Sequence, residues 1–201
     1  MNVRIQYNMN FFAGIFHNGN MHMNSYNLGV AMTTNSTDPA NHSIAFERIK
    51  YFVYNELDST IFINSKNQEG CQQFVDAGLS ITTLPGEPVD QLLGIMLYYK
   101  LNAIMEDRII VNETELSSAA GEGIVYLHSE NENTESIIKP DWWVSPDLVH
   151  SDIDLTNSDK VVTMHPLGVW RDLELAWPDT VDDPKTDNTV VFADFKKDDT
   201  N

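Results

Sequence analysis

The chain has 201 residues, 42% of them hydrophobic, with 30 acidic and 12 basic side chains and a net charge of −18. That length and apolar content predict a folded core rather than wholesale disorder. The negative surface repels phosphate backbones and disfavours direct nucleic-acid binding.

From Val3 to Phe16 apolar and polar residues alternate, with Val3, Ile5 and Tyr7 on one face, which predicts a strand. Asn18-Gly19 is a hairpin turn signal, and Met21 to Met32 reads as the return strand. Thr33 to His42 reads as a loop rich in Thr, Asn, Asp and Pro. Ser43 to Leu57 follows as a helix, with Asn41 or Ser43 as its cap and Ala45, Ile49, Phe52 and Val53 at helical spacing. Thr60 to Asn64 is a short strand-like piece. Ser65 to Gly78 is polar, with a helical turn or two expected over Cys71 to Ala77.

Pro85 and Pro88 precede a second helix, whose apolar face runs from Leu92 to Met105. Arg108 to Leu116 and Gly123 to His128 then read as two strands joined by a Gly-containing turn. The order strand, strand, helix, variable region, helix, strand, strand predicts an α+β fold. Its ββ-αα-ββ antiparallel sheet would carry helices on one face.

At Ser129 the composition changes. From Glu130 onward 17 acidic residues face 6 basic ones, so this stretch carries −11 of the total charge. It also holds all four tryptophans, Trp142, Trp143, Trp170 and Trp177. Side chains of that size tend to be buried. We therefore expect residues 1–129 to form the main domain. Residues 130–201 would form an acidic extension wrapping the core or a neighbouring subunit.

The single cysteine, Cys71, excludes an intramolecular disulfide and suits a reducing compartment. No histidine or acid adjoins it to activate it, so an inert buried thiol is expected. No apolar run approaches the roughly 18 residues of a membrane span. The start, MNVRIQYNMNFF, lacks a signal-peptide pattern, so the expectation is a cytoplasmic protein without membrane contact.

Phosphate loops, Gly-x-Ser-x-Gly and Cys-x-x-Cys are absent from the sequence. Asp152, Asp154, Asp182 and Asp183 read as exposed loop acids, because the spacing of a calcium loop is not met. Trp142-Trp143, flanked by Pro140 and Pro146, is expected to pack on the protein's own core.

Three motifs in this order carry a resemblance. His22-Met23-Asn24-Ser25-Tyr26-Asn27-Leu28 opens the second strand, Pro88-Val89-Asp90-Gln91 starts the second helix, and Glu113-Thr114 lies near the end of the third strand. Over residues 3–128 this arrangement resembles the tunnelling fold, in particular the 6-pyruvoyltetrahydropterin and 6-carboxytetrahydropterin synthases.

The resemblance implies a homo-oligomer with a pterin- or purine-binding pocket. Glu113 would accept two parallel N–H bonds from the ring, and Thr114 and Gln91 would stand beside it. It also implies zinc held by three histidines. Only His22 stands in the expected motif, with Asn24 at the second position and His17 nearby on the hairpin. Zinc needs about four ligands with nitrogen or sulfur donors common among them, so His17 and His22 make a poor site and no cofactor is expected.

The family's cysteine precedes the first helix, and its acid-base pair is Asp-His. Here Cys71 comes too late and Asp58 precedes Ser59. The expected function is therefore a diverged pterin- or purine-pocket protein, whose lyase-type activity lacks the family's full catalytic set. The competing expectation is a non-enzymatic acidic structural or interaction protein, viral or accessory. An acidic inhibitor of a nucleic-acid-binding protein belongs to that class.

Overall fold

The structure is a computed structural model and describes residues 3–34, 38–130, 141–148 and 170–178. Strands β1 (Val3–His17) and β2 (Asn20–Thr34) form a long antiparallel hairpin. Its tip is the two-residue turn Asn18-Gly19, with both φ angles positive, at 50° and 75°. Both residue types tolerate that region, and the turn's twist matches the flanking strands. The alternation works as read: Met9, Phe11 and Ala13 are buried while Asn8, Asn10 and Phe12 are exposed.

The hairpin is longer and the loop after it shorter than the sequence suggests. Helix α1 (Pro39–Tyr51) begins within the expected loop, and Asp38 caps it rather than Asn41 or Ser43. The Asp38 carboxylate accepts the Ala40 N–H at 2.9 Å. Pro39 sits in the first turn, where a missing N–H costs nothing. A wider π-helical stretch, Phe52–Leu57, continues the helix and ends at Asp58.

Between the two long helices lies a unit that the sequence reading resolved only in part: β3 (Ile61–Asn64), α2 (Gln68–Asp76) and β4 (Ile81–Leu84). Asn67 caps α2 by accepting the Gly70 N–H at 3.0 Å. Helix α3 (Asp90–Met105) leads to β5 (Ile110–Ser118) and β6 (Val125–Ser129).

The chain is thus α+β, with a six-stranded sheet in the order β4-β3-β1-β2-β5-β6. Two expectations need correction. The sheet is mixed rather than antiparallel, because β3 and β4 run parallel to β1. Strand β4 is only four residues long with two threonines, too short to show a period.

The helices also do not share one face. Phe62 of β3 joins Phe11 and Tyr26 in the main core beneath α1 and α3. Its neighbours Ile61 and Ile63 point the other way and pack with Cys71 of α2 and with Phe16. Successive strand residues alternate faces, so α2 covers the opposite side of the sheet at the β3–β4 end.

The described parts of the C-terminal stretch pack on the chain's own helix layer, and all four tryptophans belong to the main core. Two buried cations hold them. Lys100, wholly buried in α3, donates its three ammonium N–H bonds to the carbonyls of Trp142 (3.1 Å), Ser145 (3.0 Å) and Asp147 (2.5 Å). Burial pushes the Lys100 ammonium down to about 7, against the opposing pull of Asp147 and Glu56.

Arg48 of α1 lies between the rings of Trp170 and Trp177, 4.7 and 4.2 Å from their centroids. It donates to the carbonyls of Leu175 and Ile104 and to the Glu106 carboxylate, which also accepts the Trp177 indole N–H. Burial lowers the Arg48 pKa, and the Glu106 hydrogen bond and charge work against that. A guanidinium suits this place because it can stack on aromatic faces while its edge donates.

Candidate functional site

Glu113 and Thr114 sit just after an irregularity in β5. Ala31 of β2 is opposite Glu113, but the next residue, Met32, is opposite Val111. Asn112 is the extra residue, a β-bulge that shifts the side-chain parity of the strand by one. Val111 therefore faces the helices, and so does Thr114. Glu113 and Glu115 face the other, open side of the sheet.

The bulge thus splits the pair. Glu113 is half-buried on the open face, between Ala31 on β2 and Ser129 on β6. Thr114 is wholly buried, and its hydroxyl donates to the Gly94 carbonyl of α3 at 3.3 Å. It anchors a helix and is not available to a ligand in this chain, which corrects its expected place beside the ring. Gln91 is exposed in the first turn of α3, on the helix side of the sheet. Within one chain Gln91 and Glu113 lie on opposite sides of the sheet and do not converge.

Around Glu113 the central strand carries small residues, Gly29 and Ala31, which form the floor of a shallow furrow. One wall is amide, from Gln6, Asn8 and Asn10 on β1; the other is acid, from Glu113 and Glu115 on β5. A Cβ at Gly29 would lie 3.1 Å from Asn8 Oδ1, 3.3 Å from Glu115 Cβ and 3.4 Å from Glu115 Oε2. Those oxygens lean over the floor, and the glycine is what leaves room for them. Chemically, this face presents acceptors to N–H groups of a flat ligand.

Of the residues at the expected zinc position, His17 and Asn24 have other partners and His22 is exposed. His17 Nδ1 lies 2.6 Å from Glu87 Oε2, and Asn18 Nδ2 lies 2.8 Å from His17 Nε2. Hydrogen bonds from Asn64 and then His17 hold the Glu87 carboxyl below its usual range. His22 is exposed further along the hairpin, across from Ile15.

Asn24 is buried. Its Oδ1 accepts the N–H groups of Ser25 and Ala120, tying the β5–β6 turn to β2. Beside it, Ser118 donates to Asp90 at 2.5 Å and accepts from the Gly121 N–H. Burial raises the Tyr26 phenol pKa, the nearby Asn24 amide lowers it, and the Asp90 charge raises it again. Among the described residues no three His, Cys, Asp or Glu side chains gather as a metal-binding group.

The remaining candidates also have structural work. Asp58 accepts the backbone N–H of Phe12 at 2.9 Å, closing a gap in the edge of β1 above β3. Cys71 is buried beneath the sheet. Asp152, Asp154, Asp182 and Asp183 lie outside the described residues. No helix among the described residues is long and apolar enough to cross a membrane.

No protein-family model matches the chain, and no curated protein matches it significantly. Among solved structures, an uncharacterized protein WS1659 from Wolinella succinogenes aligns with a TM-score of 0.48 at 12% identity, covering 65% of this chain and 99% of the other.

Proposed function

We propose that this chain is a diverged relative of the tunnelling-fold pterin enzymes that binds a purine- or pterin-like ring without the family's zinc or proton-transfer set. The observation that carries this reading is Glu113: a half-buried carboxylate on the open face, beside a floor of Gly29 and Ala31. One carboxylate can accept two parallel N–H bonds from a guanidine-like ring edge. The consecutive antiparallel strands β1-β2-β5-β6, with α1 and α3 over one side, support the reading because they are the arrangement the resemblance implies.

Chemistry is left out of the proposal, since Asp58 and Cys71 are committed to packing and backbone bonds. A homo-oligomer belongs to the same reading, because an open sheet leaves edge strands to be paired or covered. Light scattering at micromolar concentration should find a multimer, and a monodisperse monomer counts against the tunnelling fold.

The binding test is calorimetry of guanine- and pterin-type compounds against wild type and Glu113→Gln. The substitution keeps the size and removes the charge and one acceptor. Hydrogen bonds to charged groups contribute about 1.5–3 kcal/mol, so affinity should fall about ten- to a hundredfold, with an unchanged melting temperature. If no such ring binds wild type, or both proteins bind equally, the pocket is refuted and an acidic interaction protein becomes the better reading.

A further inference from the structure

We draw no further inference here: the strongest candidate, the exposed apolar patch of Phe12, Met21 and Met23 on the open face of the sheet, carries nothing because the structure does not show what covers it.

Discussion

At pH 6, below the Lys100 value of about 7, replacing Lys100 with methionine should release the segment around Trp142. Methionine preserves most of the aliphatic stem and deletes the ammonium, which makes three bonds to the carbonyls of Trp142, Ser145 and Asp147. Those acceptors are backbone atoms, so no second substitution can replace them by apolar groups of the same shape. An acceptor left without a partner costs about 1–3 kcal/mol. We take the lower end because the segment can lift toward water, giving about 3 kcal/mol for the three. Removing a buried charge returns part of this, which leaves a net loss of about 2–3 kcal/mol. With a urea dependence of about 2 kcal/mol per molar, the midpoint should fall by about 1–1.5 M. Tryptophan emission should shift to the red as Trp142 and Trp143 gain water, while far-UV circular dichroism stays close to wild type. A variant with unchanged midpoint and emission would refute the view that this ammonium fastens the segment.

The same group predicts a pH dependence. Its folded value of about 7 lies below the ordinary 10.5, so between those values the unfolded chain holds a proton that the folded one has released. Raising the pH therefore favours the folded state, by at most about 1.4 kcal/mol per unit. Wild type should gain stability relative to Lys100→Met from pH 7 to pH 9 in urea titrations; an unchanged gap would mean the ammonium stays charged in the folded chain. Truncation after Ser129 removes four buried tryptophans, each burying about 200 Å². At roughly 25 cal/mol per Å² this forfeits up to about 20 kcal/mol, against a usual domain stability of about 5–15 kcal/mol. Residues 1–129 alone should thus lack a cooperative thermal transition, and a sharp one would show that the extension is dispensable. Gly29→Val should cost about 1–3 kcal/mol by overpacking against Asn8 and Glu115, seen as a lower melting temperature, and an unaltered value would mean those side chains swing clear.

The long elements were legible because turn signals bound them and their apolar stretches are long. The hairpin has Asn18-Gly19 at its tip and alternation along β1, and α3 carries an apolar run from Leu92 to Met105 too long for a strand. Strand β4 escaped because Ile81-Thr82-Thr83-Leu84 is wholly buried on both faces and gives no alternation. Lys100 and Arg48 escaped for a different reason: a cation within a helical pattern reads as its solvent side. Their partners are carbonyls and rings more than forty residues later, which local pattern cannot show. The candidate site was legible only as residue types. Glu113 reads as a strand-end acid, but the face it takes depends on how β5 pairs with β2. Asn24 stands where the resemblance has a ligand, yet the turn amides it accepts are set by the fold.

The bulge at Asn112 bears on how any relative of this protein should be compared with it. The surplus residue lets Val111 and Thr114, three positions apart, both face the helices, so spacing within β5 does not by itself give the face of a side chain. A relative without the insertion would keep its glutamate on the open face, but a gapless alignment anchored on the Glu-Thr pair would match every earlier residue of its strand one place out of register. The counterpart of Glu113 is therefore found by counting from the end of β2 through the pairing. Deleting Asn112 would make Val111 and Glu113 neighbours opposite Met32 and Ala31, giving a regular ladder in which the same side chains face in and out.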